Sequence, residues 1–437
     1  MSTTEIWSDE RIAAGRRAWR FSLAGTMISS LGTGLTLPFL FVYLHGVRHI
    51  SLPLAGTIVA VGAVAAFALA PVSGSLSDRL GLGRLIVVGM TLMGLSGVLL
   101  AAPVGSGGFA VVVSFVAVAL ESGGSAMTWP TMNGLVAAQL PPDKRPHAFA
   151  LRFGILNAGI GIGGLVSGLF VSVAHPATFE LIYLLDAAST FAFAAIVVVF
   201  LRTSPGFGPV AVDAGAQEHA QTRTHGGYRA VLRDRAFVAF LAVNFLLFLF
   251  GYAQLNGPFG AYATLVVGAG PRAVGFAFAA NTAAIVVTQL LVSRLTHRWR
   301  RSRMLLVAGG IFTLAWAITL FADLPGLGTV GASVALVVSL GVFGLGETMY
   351  APVEGGLPNE LAPDELRGRY NAASFTMSSV AGLIGPQLAG VLLGSATPIT
   401  WAIVATVGMG VTSLGALALG RLLPESIDRP ALAADSV

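Results

Sequence analysis

Twelve apolar runs, each near or above the length that carries an α-helix across a bilayer, divide this 437-residue chain. They cover 18–45, 52–76, 84–103, 108–139, 147–174, 178–201, 236–266, 272–295, 303–323, 328–357, 368–394 and 398–421. Such a chain has few folds open to it. In hydrocarbon every backbone N–H and C=O must be bonded within the protein, so spanning segments are helices or the strands of a closed barrel. Barrel strands alternate polarity at every second residue, and these runs do not. The reading is an all-α membrane protein with twelve transmembrane helices. The runs at 108–139, 236–266 and 328–357 are long and are expected to tilt, kink or extend past the bilayer. Only 10% of residues are charged, against about 25% in soluble domains, which excludes an ordinary soluble protein. The 55 glycines suit helices that approach closely in lipid. The absence of cysteine excludes disulfides and thiolate metal sites. Residues 1–17 contain no apolar core and no small-residue cleavage site, so no secretory signal is expected there.

The formal charge of +5 is not the footprint of a nucleic-acid binder, because the basic residues sit in short loops rather than in one patch. Their distribution sets orientation instead. With both termini in the cytoplasm, only Arg48 and Arg272 of the 25 basic residues fall outside. The longest polar stretch, 203–235, separates six spans from six spans. The expected organisation is a cytoplasmic N-terminal segment (1–17), a six-helix bundle (18–202), a cytoplasmic linker (203–235), a second six-helix bundle (236–422) and a cytoplasmic tail (423–437).

The two bundles repeat in sequence. At an offset of 219, Arg79 and Arg84 meet Arg298 and Arg303; at an offset of 222, Arg145, Gly163 and Gly168 meet Arg367, Gly385 and Gly390. These pairs join equivalent spans, second to eighth and fifth to eleventh. A parallel six-plus-six repeat is the build of transporters whose halves rock around a midplane site.

The loop after the second span reads Gly74-Ser75-Leu76-Ser77-Asp78-Arg79-Leu80-Gly81-Leu82-Gly83-Arg84. It resembles the G-x-L-x-D-R-x-G signature of the major facilitator superfamily, with Leu82 where a basic residue is usual. The resemblance covers about 15–425 and implies the major facilitator fold, with two pseudo-symmetric six-helix bundles. Gly74, Asp78, Arg79, Gly81 and Arg84 then read as a conformational latch: Gly74 lets helices touch, and the charges pair in one state and release in the other. A topogenic charge cluster with a turn is the plainer alternative. Residues 346–390, with Gly346-Glu347-Thr348-Met349-Tyr350-Ala351-Pro352 and Gly385-Pro386, resemble the MdtH/LmrP-like branch of the twelve-span drug:proton antiporters. Two departures stand out. The span-five glycines 159–164 lack the usual Gly-Pro pair, and the span-four arginine of many relatives is absent, with Glu121 the charged group there.

Four acids fall inside spans: Glu121, Asp186, Glu347 and Glu354. An intramembrane carboxylate costs about 2.5–3.5 kcal/mol on insertion scales, so each is a candidate proton or substrate site. A carboxylate satisfied by a nearby hydroxyl or amide is the alternative, above all for Asp186 on the usually peripheral sixth span. Glu347 and Glu354 are seven apart and share one helix face, about 10 Å apart along the axis. Arg152 reads as a counter-ion or as a snorkelling side chain, with snorkelling favoured.

The candidate substrate surface comprises Tyr252, Gln254, Asn256 and Phe259 on span seven, Thr36 and Phe41 on span one, and Trp129 on span four. Aromatic faces and amides would hold flat lipophilic cations; helix packing and interfacial belts are the alternative. Two G-x-G-x-x-G matches, at Gly159 and Gly326, lack the strand–turn–helix setting of a dinucleotide site, and the first reads better as small-residue helix packing. A Walker motif is excluded because Lys144 is the only lysine. No cofactor, metal or catalytic constellation is expected.

The expected function is proton-driven export of small lipophilic or cationic compounds by a monomer in lipid. A proton-coupled transporter of one metabolite is the alternative, and a non-transporting sensor or enzyme a further one. Twenty-four arginines against one lysine, with abundant Ala and Gly, point to a bacterial gene and so to the cytoplasmic membrane.

Overall fold

The structure is a computed structural model that describes residues 9–141, 144–204, 207–208, 228–296, 299–363 and 366–429. Every regular element among them is helical. Among the described residues, twelve helices are long and apolar enough to cross a membrane. They are α1 (Glu10–Val47), α2 (Leu52–Leu80), α3 (Leu82–Ala101), α4 (Gly108–Gln139), α5 (Arg145–Phe170), α6 (Ala177–Phe200), α7 (Arg235–Leu255), α8 (Gly270–Thr296), α9 (Arg301–Phe321), α10 (Gly328–Leu361), α11 (Arg367–Leu393) and α12 (Thr400–Gly420). The chain forms two units, 1–211 and 212–437. Most of the expected 203–235 linker lies outside the described residues. The helix of α1 begins by Asp9, well before the expected start at 18.

In the first unit α1 packs on α5 and α6, α4 on α2 and α3, and α3 on α6. In the second, α7 packs on α11 and α12, α10 on α8 and α9, and α9 on α12. The pairings repeat with a shift of six helices, as the sequence offsets require. Small residues set the contacts. A Cβ on Gly163 of α5 would stand 2.2 Å from the Leu31 carbonyl oxygen of α1, and one on Gly34 of α1 would stand 2.3 Å from the Ile160 carbonyl oxygen. Only hydrogen fits at this crossing. Gly163→Val is therefore expected to cost about 1–3 kcal/mol through overpacking, read as a lower unfolding temperature in detergent.

The long runs resolve differently. α4 and α10 have 32 and 34 residues, or about 50 Å of helix, and outreach a hydrocarbon core of about 30 Å. The 236–266 run does not stay one helix. Asn256 leaves helical geometry, Gly257 takes φ +104°, and a short helix restarts at Pro258. Within α7, residues Phe248–Tyr252 widen into a π-turn. Such a turn displaces carbonyls that lipid cannot satisfy. Side chains take them: Gln254 Nε2 donates to the Leu249 oxygen at 2.8 Å, and Trp316 Nε1 donates to the Phe250 oxygen at 2.8 Å.

Polar side chains also fix helix ends. Asp234 caps α7 by accepting the Phe237 N–H at 3.0 Å, and its other oxygen accepts the Tyr370 hydroxyl of α11 at 2.9 Å. After α12, a short helix α13 (Glu425–Asp428) places buried Asp428 at the start of α9, where Oδ1 accepts the Ser302 N–H at 2.9 Å and Oδ2 accepts its hydroxyl at 3.1 Å. The expected tail at 423–437 thus begins as a docked element; 430–437 lie outside the described residues. Asp428→Ala is expected to remove a cap supplied in trans, costing about 0.5–2 kcal/mol, and to expose the α9 start to limited proteolysis.

Candidate functional site

The second unit builds its site around Glu347, midway along α10. α10 packs on α8, which presents Asn281 in a largely apolar stretch. Asn281 Nδ2 donates to Glu347 Oε2 at 2.6 Å and to the Leu340 carbonyl at 3.3 Å. The Tyr252 hydroxyl from α7 also donates to the Glu347 carboxyl group. The π-turn sets this hydroxyl's position, since Tyr252 is its last residue. Aromatic rings enclose Tyr252: Phe248 at 5.1 Å, Tyr350 at 5.9 Å, Phe343 at 6.0 Å and Phe312 at 6.3 Å between centroids. Glu354, two turns along α10, lies within electrostatic reach of Tyr252 and Tyr350. The Tyr350 hydroxyl bonds Asn244 Oδ1, and Asn244 Nδ2 reaches Ser378 Oγ at 3.4 Å. The result is a half-buried carboxyl with two neutral donors and an aromatic wall. It can exchange a proton, or hold a cation against the half-buried rings of Tyr252 and Phe248; Phe312, Phe343 and Tyr350 are buried behind them.

The first unit brings together Thr36, Asp186 and Glu121. α1 and α6 touch so closely at Gly32 that a Cβ there would meet Ser189 Oγ at 2.0 Å and Asp186 Oδ1 at 2.6 Å. The Thr36 hydroxyl donates to Asp186 Oδ2 at 3.2 Å. Glu121 of α4 lies within electrostatic reach of Asp186. Asp186 therefore has both the structural partner and the acidic neighbour between which the sequence could not choose.

The expected substrate residues divide. Tyr252 turns its hydroxyl to Glu347, Thr36 serves Asp186, and Asn256 stands exposed at the break after α7. Trp129 is 39% exposed, with the Arg152 guanidinium 5.1 Å from its ring centroid. Gln254, Phe259 and Phe41 are core residues in this structure. Gln254 accepts from Trp401 Nε1 at 2.7 Å while it repairs the π-turn. Phe259 is fully buried against Phe278 and Trp316, and Phe41 is fully buried. Arg152 does not snorkel: it is buried and donates to Asn133 Oδ1 at 2.7 Å. Sequence reasoning missed Asn281, Asn244 and Asn133; the first two are amides inside apolar runs, a signal open to view.

At the expected latch, Gly81 takes φ +89° between α2 and α3, and a Cβ there would stand 2.2 Å from the Gly208 carbonyl carbon. Phe207 covers this corner: its carbonyl accepts the Gly83 N–H at 3.2 Å. Arg79 and Arg84 are exposed, and the Asp78 side chain lies outside the described residues. Gly74 departs from expectation. Nothing described lies within 4 Å of where its Cβ would be, so it makes no close helix contact here. Among the described residues no group of three or more His, Cys, Asp or Glu could hold a metal ion.

The family model of the Major Facilitator Superfamily matches residues 22–270 and 251–434. A Bacillus subtilis protein named as the MFS-type transporter YqjV is 24% identical over 403 residues, covering 90% of each chain. The quinolone resistance protein NorA of Staphylococcus aureus is 24% identical over 363 residues, covering 83% of this chain and 86% of its own. Among solved structures, a POT family transporter in complex with 5-aminolevulinic acid aligns with a TM-score of 0.74 at 14% identity, covering 93% of this chain and 96% of that one. A D-xylose–proton symporter aligns with the same TM-score and identity, covering 93% and 98%. These structures are similar in fold.

Proposed function

Because this chain belongs to the major facilitator superfamily, whose members are transporters and not enzymes, we propose that it exports small lipophilic cations in exchange for protons. The observation that carries this reading is Glu347, a carboxyl group within a membrane helix, held by Asn281 and Tyr252 against a wall of aromatic rings. The multidrug reading draws added support from the similarity to the quinolone resistance protein. The coupling ion is the proton, no cofactor takes part, and the setting is a bacterial cytoplasmic membrane with a monomer as the working unit.

The cycle follows from charge. Ionised, Glu347 and Glu354 attract a cation, which the half-buried rings of Tyr252 and Phe248 hold by stacking and cation–π contact. Protonation from outside removes that attraction, releases the cation and favours the return. Release of the proton inside restores the charge. Glu121 and Asp186 do the same work in the first unit. The Asp78, Arg79 and Arg84 cluster acts as the latch between states, with Gly81 supplying its turn. A monovalent cation exchanged for one proton moves no net charge, so the pH gradient alone drives the step.

Breadth of substrate is tested by competition. Unlike cations such as tetraphenylphosphonium, rhodamine 6G and benzalkonium are expected each to inhibit ethidium efflux from cells expressing the protein. Inhibition by one narrow chemical class alone would replace the multidrug reading with transport of a single metabolite.

A further inference from the structure

We propose that Arg152, Trp129 and Asn133 form an oxyanion subsite that takes the carboxylate of an aromatic substrate. The inference rests on the transport reading above and adds a substrate class to it. It concerns one face of the first unit: Trp129 and Asn133 lie one turn apart on α4, and Arg152 faces them from α5.

A buried guanidinium needs its donors bonded. The same unit shows how that is done without any ligand. Arg48 is 2% exposed, and its Nε and terminal nitrogens reach the Tyr43 hydroxyl, Ser114 Oγ and the carbonyls of Leu99, Leu100 and Ala110. Arg152 is 8% exposed and is not served in this way. Nη1 donates to the neutral Asn133 amide, while Nε is buried without a partner and Nη2 makes no bond to a described residue. Among the described residues no carboxylate pairs with it. Its unbonded edge, Nε with Nη2, is the pair that receives both oxygens of a carboxylate side by side, once a shift of the side chain uncovers the buried Nε.

The rim over it is exposed. Trp129 is 39% exposed and Asn133 is exposed, so the indole and the amide form the rim while the charge sits beneath. The rim says what the anion is attached to. A phosphate or a short-chain acid would use the guanidinium alone. An aryl carboxylate would also lie against the indole.

The experiment uses the purified full chain in a neutral detergent and two isosteric probes, 1-naphthoate and 1-naphthamide, in equilibrium dialysis. The wild type is expected to bind the naphthoate tighter by on the order of tenfold or more, the worth of a charge-assisted bond. Arg152→Gln is expected to erase that preference. Asn133→Asp, which supplies an internal carboxylate and keeps Arg152 paired, is expected to erase it in a protein whose fold is secured. Equal binding of the two probes by the wild type overturns the inference, as does a preference that survives both substitutions. Hexanoate binding as tightly as naphthoate, with displacement by phosphatidylglycerol, assigns the guanidinium to a lipid phosphate and also overturns it. Ethidium efflux by the wild type reports on the transport reading separately, so failure of the one is told from failure of the other.

Discussion

Glu347→Gln is expected to fold, insert and bind cationic dyes weakly, while its pH-gradient-driven efflux falls to background. The substitution is nearly isosteric. The amide oxygen still accepts from Asn281 Nδ2 and from the Tyr252 hydroxyl, so the contacts that seat α10 against α8 and α7 persist. What disappears is the proton and the charge. A role in packing alone predicts little change, because the hydrogen bonds survive. A role in coupling predicts loss of the gradient-driven component with downhill dye movement retained. Efflux that keeps its dependence on the gradient in this protein would remove Glu347 from the coupling step and leave the Glu121–Asp186 pair to carry it.

The largest effect on stability is expected at Arg48. This side chain binds the last carbonyls of α3, at Leu99 and Leu100 (2.9 Å each), and Ser114 Oγ of α4 at 3.0 Å. The Tyr43 hydroxyl accepts from its Nε at 2.9 Å and in turn donates to Leu100. The C-terminal end of α3 is thus neutralised by a positive charge that touches the carbonyls directly. Arg48→Ala strands several buried acceptors at once, each worth about 1–3 kcal/mol when left unbonded. A total on the order of 3–5 kcal/mol is expected, seen as poor yield and a much lower unfolding temperature in detergent. Arg48→Lys restores the charge but not the planar fork, and should recover only part of the loss. A drop below about 1 kcal/mol for Arg48→Ala would show that the carbonyls find other donors.

Arg48 also marks where sequence reading stops. In the sequence it is one of two basic residues on the outside and helps to fix orientation, and nothing there places it in the core. The twelve spans and their repeat were legible because bilayer thickness and backbone hydrogen bonding leave so few choices. The same rules could not locate the π-turn at Phe248–Tyr252, because its cause is tertiary: Gln254 and Trp316 must stand ready to take the displaced carbonyls. That is also why Gln254 read as a substrate contact and is a structural one here. The break at Asn256-Gly257-Pro258 was visible in the residues, yet hydropathy ran through it and merged two helices into one span. The four acids announced themselves by cost. Their partners did not, since Asn281 and Thr36 approach from helices 66 and 150 residues away. Arg152 could be given a depth from its place in α5, but not the Trp129 and Asn133 beneath which it lies.

The proposed transport couples an outward cation flux to an inward proton flux. It is tested most directly with purified protein in liposomes loaded with ethidium-binding DNA or left empty, under an imposed pH gradient and without ATP. Dye is expected to cross against its gradient, with each unit of pH sustaining about a tenfold dye gradient; nigericin is expected to abolish the movement and valinomycin in symmetric potassium to leave it in place. Dye distribution that ignores the pH gradient in active, correctly inserted protein would contradict it.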